Sequence, residues 1–384
     1  MANSSGDKTA VILSGGGANG SYEVGVLKAL FNGDSPATGY TPLNPAIFTG
    51  TSVGAYNAAV VVSHLEAGAR AAVAYLEDIW LNVIPRDDST THNHVFRLRG
   101  DALELFDLDY VAQHPLAPYS RLVEDVAFFG QDWFRRGVNF LLSTQRLEER
   151  TLELVDAATL FSREPFERLV KKTVRLENIR GSDRKLKVVA TNWKTGELRI
   201  FANEDMTEQI GHQAIWASTA IPGIFESVEI DGQPYVDGGV VMNTPLKPAI
   251  DSGADTLHVI YLDGQVSAIP LPRLRNTINT ISRTLVIGFA AAMKTDIEVA
   301  RRVNRSIDLL EKASTGAALA GTDRQGVSAP HRKITIHRYR PLKGLGHILG
   351  LLNFNRGRMI DLIERGVSEA VGHNCDQNDC VLLN

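Results

Sequence analysis

Three short runs in this sequence combine residue types that carry out acyl-transfer chemistry. Gly50-Thr51-Ser52-Val53-Gly54 sets a serine between two glycines. The apolar run Ala46-Ile47-Phe48-Thr49 precedes it and an almost wholly apolar stretch from Val53 to Leu65 follows, so Ser52 is expected on a strand-to-helix turn. Such a turn strains the serine backbone, leaves no room for neighbouring side chains, and puts the hydroxyl at a helix N-terminus where an alkoxide-like state is favoured. Asp237-Gly238-Gly239 delivers a carboxylate from Tyr235-Val236 onto a glycine turn that another backbone can approach closely. An aspartate deprotonates serine directly when the two lie within about 2.6–3.2 Å and burial raises its basicity. Gly15-Gly16-Gly17-Ala18-Asn19-Gly20 connects a strand to a helix, so the backbone N–H groups of Gly15, Gly16, Gly17 and Ala18 are placed to meet a developing oxyanion.

Each run also has a plainer use. Thr51 and Ser52 are good helix N-caps, Asp-Gly is a common turn, and a glycine run suits any tight connection. Gly15, Gly17 and Gly20 match the dinucleotide pattern G-x-G-x-x-G, but the next strand ends in Gly50-Thr51-Ser52 without the carboxylate that holds a ribose. Gly20-Ser21 lacks the lysine of a phosphate loop. Histidine is the usual base for serine, and the chain has 10. His258 falls inside a buried strand and the others in polar loops or on helix faces, so none is placed for that role.

Positioning these residues takes a scaffold, and the hydrophobic pattern supplies one. Thr9–Leu13 and Pro45–Thr49 read as buried strands. A helix follows each, the first through Val24, Leu27 and Leu30 until Asn32-Gly33, the second from Val53. Strand–loop–helix twice in succession predicts an α/β fold with a largely parallel sheet. Further strands are expected at Lys185–Thr191 and Glu197–Phe201, at Glu226–Ile230 and Gln233–Val236 about the Asp231-Gly232 turn, and at Thr256–Leu262, with a helix at Gln209–Ser218. Between 85 and 164 the periodicity breaks, which predicts a helical insertion or cap over one sheet edge, the natural place for a lid. Residues 271–371 read as a C-terminal helical region, with long helices from Leu271 to Ala313, a loop over 314–330, an edge strand at Lys333–His337 and a closing amphipathic helix at Asn355–Val371. Leu285–Met293 suits a core helix or an acyl groove, and Arg338–Lys343 with Leu345, Ile348, Leu349, Leu351 and Leu352 suits an interfacial segment or packing against the sheet.

With 384 residues, 44% hydrophobic and 22% charged, the chain is globular, and its net charge of −4 gives no basic field for nucleic acid. No signal peptide or spanning helix is expected, because the longest apolar stretch is about half of the ~20 residues needed. Cys375 and Cys380 both lie near the C-terminus and read as free thiols of a reducing compartment. The expected organisation is a flexible N-terminus over 1–8, one domain over 9–371 and a polar tail over 372–384.

Together these runs resemble the patatin-like phospholipase family, through Gly15–Gly20, Gly50–Gly54, Tyr235–Gly239 and the stretch Ala217-Ser218-Thr219-Ala220-Ile221-Pro222-Gly223-Ile224-Phe225. The resemblance covers residues 9–262 and, more loosely, the C-terminal helix. It implies a three-layer α/β/α fold and cleavage of fatty acyl esters through an acyl-enzyme, with no metal and no cofactor. Carried over, Ser52 is the nucleophile, Asp237 the general base, and Gly16, Gly17 and Ala18 the oxyanion donors, supported by Asn19, Gly20, Gly50, Gly54, Gly238 and Gly239. The implied partner is a lipid or fatty acyl ester met in the cytoplasm or at a membrane surface. Acyl transfer to an alcohol on the same dyad and a silent lipid- or partner-binding module are the competing functions. One position departs: the family usually carries Arg or Lys where this chain has Asn19, which bears on loop anchoring and headgroup attraction but removes no backbone donor.

Overall fold

The computed structural model describes residues 8–85, 93–98, 161–262, 297–310, 332–342 and 351–383, with scattered positions between these stretches. The elements are β1 (Thr9–Leu13), α1 (Gly20–Asn32), β2 (Ile47–Thr51), α2 (Val53–His64) and α3 (Ala69–Asp78), followed by the two-residue strands β3 (Arg97–Leu98) and β4 (Phe161–Ser162). Next come α4 (Glu164–Thr173), α5 (Leu176–Gly181), β5 (Lys185–Asn192), β6 (Leu198–Phe201), α6 (Gly211–Ser218), β7 (Val228–Ile230) and β8 (Gln233–Asp237). The chain continues through α7 (Leu246–Asp251), β9 (Thr256–Ile260), β10 (Thr335–Tyr339) and α8 (Arg356–Val371).

Eight strands form one sheet in the order β10-β9-β1-β2-β5-β8-β7, with β6 also paired to β5. The five strands from β10 to β5 run parallel, and β6, β7 and β8 are antiparallel additions. Parallel strands covered on both faces need no polar alternation, which is why β1 is the run Thr-Ala-Val-Ile-Leu. Val11 and Leu13 join the core under α1, α2 and α3, whereas Ala10 and Ile12 join a second core with α7 and the helical residues 297–310. The three-layer α/β/α arrangement expected from the sequence is therefore present.

The helix α2 is buried from Val53 to Ser63, so it has no polar face and its Ala- and Val-rich composition follows. On its outer side α1 crosses α8 closely. A Cβ on Gly25 would run into the Ile363 carbonyl, and one on Gly366 into the Tyr22 carbonyl. Tyr22 donates a hydrogen bond to Glu369 at 2.8 Å across the same contact.

Most of the expected cap over 85–164 lies outside the described residues, as do most of 271–296 and the loop 314–330. Within Leu285–Met293 the described positions Ile287, Gly288 and Ala291 are all exposed, so these three do not belong to a buried core helix. Arg338, Tyr339 and Leu345 are buried, which favours packing over interfacial display for that segment, although Leu342 is exposed.

The α1–α8 crossing gives a direct stability prediction. Gly366→Val should lower the urea midpoint by an amount equivalent to ~1–3 kcal/mol. Gly181→Ala, whose added methyl would meet nothing, should stay within about 0.5 kcal/mol of the parent.

Candidate active site

The site is assembled along one edge of β5. β2 pairs with Lys185–Val189, and β8 pairs with Ala190–Asn192. β6 occupies the opposite edge over Val188–Thr191, so β2 and β8 must share the same edge, end to end. β2 stops at Thr51 opposite Val189, and β8 arrives antiparallel with Asp237 opposite Ala190. The residue leaving β2 and the residue ending β8 therefore meet. They are Ser52 and Asp237.

Ser52 has φ 55° and ψ −130°, a left-handed conformation that only glycine adopts without strain. Its surroundings hold it there. A side chain on Gly50 would collide with the backbone of Gly54 and Ala55, and one on Gly54 with the Leu13 carbonyl. The Ser52 backbone N–H donates to Ser218 Oγ at 2.9 Å, and that hydroxyl donates to the Val189 carbonyl at 2.7 Å. Ser218 thus anchors the strained residue to β5. Its place in the motif ahead of Asp237 was visible in the sequence, but its hydrogen bonds were not.

Asp237 and Ser52 are 5% and 6% exposed, and Ser52 lines the cavity described below. The carboxylate accepts from the Gly239 N–H at 2.8 Å, and the Ser52 hydroxyl lies on its side of the turn. Burial dominates and raises its pKa to about 7, against the lowering effect of Ser52 and the Gly239 N–H. A carboxylate poised there is a competent base near neutrality. Gly238 is required at this junction because a Cβ would press on the Val189 carbonyl and the Thr51 methyl.

The glycine turn lies against the same serine. A Cβ on Gly15 would sit 3.0 Å from Ser52 Cβ and collide with Asn243. The Gly15 N–H donates to the Asn243 carbonyl at 3.1 Å, so it is not free to meet an oxyanion, contrary to the sequence expectation. Gly17 and Ala18 open a short 3-10 turn, whose first N–H groups have no intrahelical acceptor. Among the described residues no other acceptor meets the N–H groups of Gly16, Gly17 or Ala18. Gly20 abuts Val53 and Trp80, and its carbonyl accepts from Asn57 at 3.1 Å. Asn57 also donates to the fully buried Glu23 at 2.8 Å and accepts from the Trp80 indole at 2.9 Å. Burial raises the Glu23 pKa well above the usual range.

Two contacts here escaped sequence reasoning. Arg358 on α8 donates to Asn19 Oδ1 at 2.7 Å and also to the Leu345 carbonyl. Gly17, at φ +55°, lies so close to the Leu351 carbonyl that no side chain fits. Neither Arg358 nor Leu351 stands in a motif; only the fold brings the C-terminal segment onto the glycine turn.

Ser52 opens into a cavity of about 50 Å³. Its walls are Val53, Tyr56 and Phe166 on one side, Ile221 and Phe225 on another, and Leu351, Leu352 and Phe354 from the segment before α8. Trp80 stacks on Phe354 with ring centroids 6.2 Å apart. Arg163 is the charged lining residue, and its guanidinium is engaged by Glu167 at 2.8 Å. Among the described residues no histidine lines this space. Chemically, the arrangement offers a hydroxyl, a base beside it, unpaired backbone donors and an apolar chamber.

The sequence model of the patatin-like phospholipase family matches residues 11–250, and the chain belongs to that family. Among solved structures, VipD from Legionella pneumophila is similar at 16% identity and a TM-score of 0.33, over 93% of this chain and 67% of that one. The type III effector protein ExoU is similar at 13% identity and a TM-score of 0.33, over 97% of this chain and 53% of its own. A heterodimeric complex, ExoU–SpcU from the type III secretion system of Pseudomonas aeruginosa, matches at 17% identity and a TM-score of 0.25, over 75% of this chain and 51% of that one. This chain thus spans about half the length of ExoU. Likeness at these scores carries nothing about substrate or partner.

The buried carboxylate has a measurable consequence for stability. Because the folded pKa of Asp237 is about 7, above its ordinary 3.8, the folded state holds the proton more tightly than the unfolded chain. Its contribution to stability is therefore full below about pH 4, declines as pH rises toward 7, and is lost above. Asp237→Asn, which carries no charge to desolvate, should melt higher than the parent at pH 8, and the gain should vanish by pH 4 in paired thermal scans.

Proposed function

We propose that this member of the patatin-like phospholipase family is a lipid acyl hydrolase working through Ser52 and Asp237. The observation that carries the reading is a strained serine that strand register sets beside a buried carboxylate, opening onto an apolar cavity. Asp237 takes the hydroxyl proton as Ser52 Oγ attacks the ester carbonyl. The negative charge that grows on the carbonyl oxygen is met by the free N–H groups of Gly16, Gly17 and Ala18, donors of a kind each worth ~10²–10³ in rate. As the tetrahedral species collapses, the protonated Asp237 returns its proton to the leaving alcohol or lysolipid. Water then enters, gives a proton to Asp237, and attacks the acyl-serine; the fatty acid leaves and the proton returns to Ser52.

The apolar walls support a fatty acyl chain as the group transferred. Burying a methylene is worth ≈ 0.8 kcal/mol, so Leu351, Leu352, Phe354 and Phe225 draw a chain in and leave its carbonyl at Ser52. Access to lipid is proposed at the rim just past Asp237, where Val240 and Val241 are exposed at 43% and 47%. Among the described residues no helix is long and apolar enough to cross a membrane, so the proposed encounter is at a membrane surface.

Ser52→Ala and Asp237→Asn should each lower kcat/KM on a fatty acyl ester by ~10⁴-fold or more, and Ser52→Ala should abolish labelling by a fluorophosphonate probe. In the parent, kcat/KM should rise with pH through about 7, as the Asp237 carboxyl loses its proton, and level off above. An Asp237→Asn variant that keeps its activity, or an essential histidine, would overturn the dyad. Leu352→Trp should shorten the acyl chain preferred in a series of p-nitrophenyl esters while leaving the shortest ester turned over at near parental rate.

A further inference from the structure

Residues 372–383, read in the sequence as a polar tail, fold back onto the edge strand β10. Ile336 and Val381 exchange backbone hydrogen bonds at 2.8 and 2.9 Å, and Arg338 holds Asp379 at 2.8 Å. The return brings four side chains from two elements to one point. His337 on β10, with His373, Cys375 and Cys380 from the tail, places one donor atom each within 4.8 Å of all the others. Both cysteines are free thiols.

The separations are those of a metal site. Cys375 Sγ lies 3.6 Å from His337 Nδ1 and 3.5 Å from His373 Nε2, and Cys380 Sγ lies 3.5 Å from the same Nε2. A tetrahedral zinc ion, with Zn–S ≈ 2.3 Å and Zn–N ≈ 2.0–2.1 Å, sets adjacent sulfur and nitrogen ligands ~3.6 Å apart. Two thiolates and two imidazoles are also the donor set that suits zinc and not magnesium or calcium. The surroundings supply the outer contacts such sites use. The Arg338 backbone N–H donates to Cys380 Sγ at 3.3 Å, the His337 ring stacks on His258 at 5.1 Å, and His373 Nδ1 faces the Asn378 amide at 3.5 Å.

We propose that His337, His373, Cys375 and Cys380 bind one zinc ion, which clamps the tail following α8 to β10. Four protein ligands leave no open coordination position, so the ion is structural. It also lies apart from the chemistry, since β9 and β1 separate β10 from β2 in the sheet. Binding displaces the two thiol protons to solvent. The proposal stands independently of the dyad.

The test uses the full chain, purified under reducing conditions with any histidine tag removed. Elemental analysis after zinc loading and desalting should find about one zinc per chain. Cobalt substitution should give a thiolate-to-metal charge-transfer band and intense visible bands of tetrahedral geometry. Cys375→Ser and His337→Gln should each lose the zinc. Should either variant fail to fold, the parent's cobalt spectrum decides alone. A folded, reduced parent that takes up neither metal, or that binds cobalt without the thiolate band, overturns the proposal. So does a Cys375–Cys380 disulfide that persists under the reducing conditions and excludes zinc.

Discussion

The site depends on one shared edge of β5. β2 stops opposite Val189 and β8 ends opposite the next residue, Ala190, so the turn out of one strand and the end of the other occupy adjacent positions. Were β2 longer, β8 would be displaced; were β8 parallel, Asp237 would emerge at the wrong end. The same packing removes water from the carboxylate and leaves it the Gly239 N–H, with the Ser52 hydroxyl on the same side. Burial against only that much compensation brings its pKa to about 7. Proximity and basicity thus have a common origin in strand register.

The glycine turn is held from two directions. Behind it, Asn57, Glu23 and Trp80 form a buried polar network that fixes Gly20 where α1 begins. In front, the segment before α8 lays Leu351 over Gly17, and Arg358 reaches Asn19. The departure at Asn19 has a structural answer here. A guanidinium does reach the turn, from α8 and not from the turn itself, and the asparagine carbonyl is its acceptor. Burial of Arg358 lowers its pKa, and the two carbonyl acceptors on one guanidinium nitrogen offset part of the desolvation.

Much of this was legible in the chain because its signals are local. Ser52 between Gly50 and Gly54 marks a strand-to-helix elbow, Asp231-Gly232 marks the hairpin that aims β8, and the apolar run of β1 marks a strand covered on both faces. What stayed hidden depends on contacts distant in sequence. Gly15 looks like its neighbours until Asn243 is seen to accept from it. Phe354 and Arg358 read as ordinary residues near a helix start, and Leu351 as one leucine of an apolar run. His337 sits on a strand far from Cys375 and Cys380, so no spacing pattern joins them, and the cysteines look like loose thiols until the tail returns to β10.

The cavity walls come from two parts of the chain. Ser52, Asp237 and the glycine turn lie within the span 11–250 that defines the family, whereas Leu351, Leu352 and Phe354 lie beyond it. On the proposed function, bond-breaking is thereby written in one stretch of the gene and the fit of the acyl chain partly in another. Because the Leu351 carbonyl and Arg358 of that second stretch also hold the glycine turn, only its outward side chains, Leu351, Leu352 and Phe354, are free to change the fit without moving the turn.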